Sequence, residues 1–150
     1  MALTTNDENA LRGCIPDPTT SVNVIALLNV PTSTNSTSGV GYTTGAGGAV
    51  TQITNASTGV TLDKVCGQIT TVALTTAAAA EEVFVVTNST VAATDCIALG
   101  TTYAGAGTPA VTVKGVAAGS FSVVITNLHA SAALDAVLIV NFAVIKSVAA

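Results

Sequence analysis

From residue 49 onward, short runs of β-branched residues recur between breaks of Gly, Asn, Ser and Asp. The runs cover residues 49–54, 58–62, 68–72, 81–87, 95–99, 110–116, 120–127 and 136–145. A rhythm of about one strand per dozen residues is the signature of a sandwich or jelly roll. Val, Ile and Thr suit such strands because χ1 is stiff and the branched group packs across a pleated surface. The expectation is an all-β fold, an antiparallel β-sandwich or jelly-roll-like domain over residues 49–150.

Period-two alternation supports this reading within individual runs. In the run 110–116, Val111 and Val113 share one face while Thr112 and Lys114 share the other. In the run 120–127, Phe121, Val123 and Ile125 are expected inward, opposite Ser122, Val124 and Thr126. The run 136–145 is apolar on nearly both faces, which fits a central strand or one packed against a symmetry mate. Leu74-Thr-Thr-Ala-Ala-Ala-Ala-Glu-Glu82 contains the best helix former four times over. It is short and has no amphipathic stripe, so a loop or a single turn is expected there.

The first 48 residues read differently. They hold Pro16, Pro18 and Pro31, the hydroxyl-rich stretch 31–39 and the glycine cluster 39–48. These favour turns and extended chain. Residues 1–48 are expected to form an extended attachment arm, with 21–30 as one apolar segment within it.

Charge is the second constraint. Only twelve of the 150 residues are Asp, Glu, Lys or Arg, and the mean hydropathy is +0.67. Soluble surfaces carry roughly a quarter to a third charged residues. Yet no apolar run approaches the ~20 residues of a membrane-spanning helix, so no membrane partner is expected. The excess hydropathy is assigned to a core and to subunit contacts. The cations Arg12, Lys64, Lys114 and Lys146 are scattered and the net charge is −4. Nucleic-acid binding needs several phosphate contacts, so none is expected. The polar, acidic start of the chain reads as neither a secretory signal nor a transit peptide.

No constellation of catalytic groups is visible, and the chain is not expected to be an enzyme or to hold a cofactor. His129 stands alone in what reads as a solvent-exposed turn after a strand. Glu81 and Glu82 are adjacent, so on a strand they point to opposite faces and are poor candidates for an acid/base pair; a solvated strand start explains them better. Cys14, Cys66 and Cys96 lack metal-ligand spacing and are read as reduced, small hydrophobes, with a Cys66–Cys96 bridge left open. No metal site is expected. The glycine-rich 45–48 lacks the Lys-Ser/Thr ending of a phosphate loop. The triplets at Asn35, Asn55 and Asn88 match a glycosylation pattern by chance in a Thr-rich chain.

Four stretches carry a resemblance. They are Gly47-Gly-Ala-Val-Thr-Gln-Ile-Thr-Asn-Ala-Ser-Thr-Gly-Val-Thr-Leu-Asp-Lys-Val-Cys-Gly-Gln-Ile-Thr70, Phe84-Val-Val-Thr-Asn-Ser89, Gly119-Ser-Phe121 and Ile139-Val-Asn-Phe-Ala-Val-Ile-Lys146. Over about residues 45–147 the chain resembles small virion proteins of tailed bacteriophages, placed on heads or fibres. The resemblance implies a trimer-forming β-domain on the outside of a phage particle; the reduced cysteines fit assembly in the bacterial host cytoplasm.

Three functional readings follow. The first is a homotrimeric capsid decoration (cement or head-fibre) protein, whose partners are itself and the major capsid protein and whose arm spreads over the outer capsid surface. The second is a tail-fibre or spike receptor-binding domain, for which Tyr103, expected in the loop 101–107, is the best-placed aromatic. The third, an enzyme or small-ligand carrier outside the virion, would be favoured by absence of the chain from particles or by a buried polar pocket around Asp95 and His129.

Overall fold

The computed structural model describes residues 41–42 and 45–148, so the expected attachment arm lies almost wholly outside the described residues. Within the unit Tyr42–Ala150 the fold is all-β and contains no helix among the described residues. The strands are β1 (Gly47–Thr51), β2 (Val60–Thr61), β3 (Cys66–Ala73), β4 (Glu81–Thr87), β5 (Cys96–Tyr103), β6 (Pro109–Ala117), β7 (Ser120–Asn127) and β8 (Val137–Ile145). Each run read from the sequence overlaps one strand, and β4 and β7 coincide with theirs residue for residue, whereas β1, β3, β5 and β6 extend beyond theirs.

The strands form two four-stranded sheets. Sheet A has the order β1-β3-β8-β5 and sheet B the order β2-β4-β7-β6. Their inner faces share one core, to which sheet A contributes Ile69, Leu138, Val140 and Val144, and sheet B Phe84, Val86, Val123 and Ile125. Phe121 of β7 meets Phe142 of β8 across the layers, with ring centroids 5.4 Å apart and planes tilted by 56°. The result is a β-sandwich-like packing. Burying each such side chain contributes about 1.5–3 kcal/mol relative to leaving it in water.

The expected antiparallel arrangement needs correction. Both sheets are mixed: β1 runs parallel to β3, and β2 parallel to β4. The remaining pairs are antiparallel. The cause is the path of the chain, which alternates between the layers through β1, β2, β3 and β4. A strand that returns to its own sheet after two crossings can lie beside its predecessor in the same direction. An antiparallel jelly roll is therefore not the topology. Among the described residues the single hairpin between consecutive strands is β6–β7. Its connection, Ala118-Gly119, places Gly119 at φ +81°, a conformation that favours glycine. The tip docks through Gly119 N–H to Val91 O at 2.9 Å and Asn88 N–H to Gly119 O at 2.8 Å.

The alanine-rich stretch is a connection, as expected, with Ala79 at φ 59°. Ala80 N–H closes a single turn on Ala77 O at 3.1 Å, and other backbone groups are taken by distant segments. Leu74 N–H donates to Ala136 O and Ala79 N–H to Asn127 O, partners that a helix would not supply. β8 is central in its sheet, paired on both sides by β3 and β5. Its inward side chains Leu138, Val140, Phe142 and Val144 are buried, whereas outward Val137 and Ile145 remain 43% and 54% exposed.

Candidate interaction surface

The outward face of sheet A is built from alternate residues of four strands whose register is fixed. Inward Gly67 shows the phase, because a Cβ there would lie 3.1 Å from Phe142 and 2.7 Å from Leu62 in the core. Its neighbours Cys66 and Gln68 therefore point out. Read from β1 to β5, one row across the sheet is Thr51, Thr70, Ile139 and Thr102. The next is Ala49, Gln68, Asn141 and Gly100. The third is Gly47, Cys66, Ala143 and Ala98, beyond which Ile145 stands opposite Cys96.

None of these residues is charged. None of the four strands of sheet A contains a charged residue at all. Among the described residues, the charges that lie within strands, Glu81, Glu82 and Lys114, all belong to sheet B. In the middle of the neutral face, Gln68 Nε2 donates to Asn141 Oδ1 at 3.2 Å. Beside this amide pair the relief falls away, since a Cβ on Gly100 would meet nothing within 4 Å. Sequence reading missed this surface because it exists only after four distant segments are laid side by side. The signal that could have found it is the lack of charge in 47–51, 66–73, 96–103 and 137–145 taken together.

Cys66 and Cys96 both lie on this face and both thiols are free. They flank β8 on opposite sides, opposite Ala143 and Ile145 respectively. Strands two apart are separated by about 10 Å, beyond the ~7 Å reach of a disulfide. A bridge between them within one chain is excluded.

The other residues singled out by sequence occupy the two ends of the sandwich. Asp95 is buried and accepts Lys146 Nζ at 2.6 Å and Ala92 N–H at 2.8 Å on Oδ2. Lys146 also donates to Thr90 O. The Ala92 N–H, then the Lys146 ammonium, hold the Asp95 carboxyl below its ordinary pKa. His129 lies in the connection before β8, half-buried rather than exposed. Its Nδ1 accepts the N–H groups of Ser131 at 3.1 Å and Ala132 at 2.8 Å, which holds a turn. Asp95 grips the chain after β8 and His129 the chain before it, so the two do not share a pocket.

Tyr103 is the last residue of β5 and not part of a loop. It packs half-buried against the core, and its hydroxyl donates to Ala106 O at 2.7 Å and accepts Asp135 N–H at 2.9 Å. Glu81 and Glu82 take opposite faces as expected. Glu81 accepts Thr126 Oγ1 at 3.1 Å, while Glu82 accepts Ser57 Oγ at 2.6 Å. Ser57 and Glu82, with Asn55 and Thr75, line an open cleft of about 570 Å³ whose donors and acceptors are hydroxyl, amide and carboxylate groups. Asn88 is wholly buried, with Nδ2 bonded to Lys64 O at 2.7 Å, so that triplet is closed to glycosylation in the folded chain. Asn55 is exposed and closes a turn through Ser57 N–H.

No protein-family model matches the chain, and no curated protein or solved structure matches it at a significant level.

Proposed function

We propose that this chain is a structural protein of a bacteriophage virion: a homotrimeric decoration or cement protein that binds the outer surface of the major capsid lattice and stabilises it. The observation that carries the reading is the uncharged outer face of sheet A. A monomer that keeps a four-stranded face free of charge gains little solubility from it, whereas an assembly subunit can bury it without stranding ions. The resemblance of residues 45–147 to small phage virion proteins points the same way. Repeated weak contacts around a symmetric particle would add as avidity. The arm over 1–48 would supply the grip on the capsid, with surface burial offsetting the entropy of ordering it.

The tail-fibre reading loses its best sugar-stacking aromatic, because the Tyr103 ring packs on the core and its hydroxyl is engaged. Quantitative gel analysis of purified virions separates the readings. Decoration requires a copy number comparable to that of the major capsid subunit. A number comparable to tail components would favour the fibre, and absence from the particle would overturn both.

A further inference from the structure

We propose that the outer face of sheet A is the surface through which copies of this chain pack against one another, turned toward a common threefold axis. The inference deepens the assembly part of the proposed function and rests on its trimer. The occupant is a second copy for four reasons that the face itself supplies.

The first is charge. The chain carries a net charge of −4, so identical copies repel except where a neutral surface lets them approach. Sheet A offers that surface, and the charged residues within strands lie on the other sheet. The second is the central amide pair. Gln68 and Asn141 each carry both donors and acceptors, so the same pair on a neighbouring copy can satisfy what their mutual bond leaves free.

The third reason is relief. Ile139 and Ile145 of β8 stand above a floor made by Ala143, Ala98 and Gly100, with open space over Gly100. Ridge and hollow lie on one face, so each copy can seat its isoleucines in the hollow of the next. The fourth is area. Four strands at ~4.8 Å spacing and ~3.3 Å per residue cover about 500 Å². Turned to a threefold axis, three such faces bury about 1,500 Å² in the assembled trimer, each face being shared between its two neighbours.

Size-exclusion chromatography with light scattering on the full chain tests this. Gly100→Glu is the first variant, because its Cβ enters open space and leaves the isolated fold unstrained. The wild-type chain should run as a trimer. Gly100→Glu should run as a monomer with an unchanged far-UV spectrum, and the concentration for half-assembly should rise at least about a hundredfold, as expected for burying an unpaired charge. Val85→Glu, on the outer face of sheet B, should leave the trimer intact. Alkylation of Cys96 should be slow in the trimer and fast in Gly100→Glu. If Gly100→Glu misfolds, Ile139→Lys and the rate of Cys96 alkylation in the wild-type chain decide the matter in the same way.

A trimer that persists in Gly100→Glu with Cys96 freely alkylated would overturn the face while leaving the trimer standing. A wild-type monomer at all concentrations would overturn self-assembly and the face with it, whatever the virion gel shows. A dimer split by Gly100→Glu would uphold the face and overturn the threefold arrangement.

Discussion

Lys146 Nζ stands 2.6 Å from Asp95 Oδ2, joining the residue after β8 to the turn that launches β5. The two strands they border are paired along the whole length of β5, Cys96 opposite Ile145 through Tyr103 opposite Leu138. The ion pair thus closes the end of a ladder whose hydrogen bonds set the register of the neutral face. Asp95 also accepts Ala92 N–H and Ser147 N–H, so its carboxylate orders backbone on both sides of the contact.

Acid should loosen this end first. Asp95 and Asp63 both have lowered pKa values, Asp95 chiefly through Ala92 N–H and then Lys146, Asp63 through hydrogen bonds from Ser89. A depressed carboxylate pKa adds stability that is complete above the unfolded value near about 3.9 and is lost as pH falls through the folded value. Asp95→Asn should therefore melt below the wild-type chain at pH 7, with the gap closing as pH drops below about 4. Thermal melts at several pH values check this, and a gap that widens in acid would contradict it.

Asn127 is a hub, fully buried at the end of β7. Its Nδ2 donates to Thr76 O, Ala77 O and Ala132 O, and its Oδ1 accepts from Thr108 N–H and His129 N–H. Asn127→Ala would leave these buried groups without partners at a cost of about 3 kcal/mol or more. Asn127→Asp should be no milder, since a carboxylate would face the three carbonyls. Urea denaturation reads both.

The Phe121–Phe142 contact joins the two sheets. Phe121→Ala should cost about 3–5 kcal/mol through lost burial and the cavity left behind. Phe121→Leu, which keeps most of the apolar volume, should cost less than about 2 kcal/mol. Equal losses in urea melts would mean that the ring does not bridge the layers.

Two glycines separate backbone strain from crowding. Gly119 and Gly107 have φ of +81° and +84°, but only at Gly107 would a Cβ collide, 2.7 Å from Leu134. Gly119→Ala should cost about 1–2 kcal/mol for the left-handed conformation alone. Gly107→Ala should cost about 1–3 kcal/mol beyond that, for overpacking against a buried leucine. Similar urea midpoints for the two variants would remove the crowding component.

What the amino-acid sequence determined by itself is the set of strands and their burial phase. Alternation of β-branched and polar residues, bounded by Gly, Asn and Asp, is a local property, and it located β4 and β7 to the residue. It also marked Phe121, Val123 and Ile125 as inward, and all three are buried. The end of β5 was illegible, because Gly100-Thr-Thr-Tyr103 reads as a loop until the ladder with β8 holds it extended. His129 read as exposed because nothing local announces that its ring holds the backbone of Ser131 and Ala132.

Only the tertiary structure decided which strands are neighbours and in which direction. Pairing energy is similar for many strand orders, and the crossings between layers that make β1 and β3 parallel depend on how the whole core closes. The neutral face follows from that choice. Ala49, Gln68, Asn141 and Gly100 form one row only because β1, β3, β8 and β5 lie side by side, although they are spread from position 49 to position 141 in the chain. Sparse charge was visible in the sequence from the outset. Its confinement to sheet B within the strands is a product of folding, since the register of distant segments gathers the uncharged positions onto one surface.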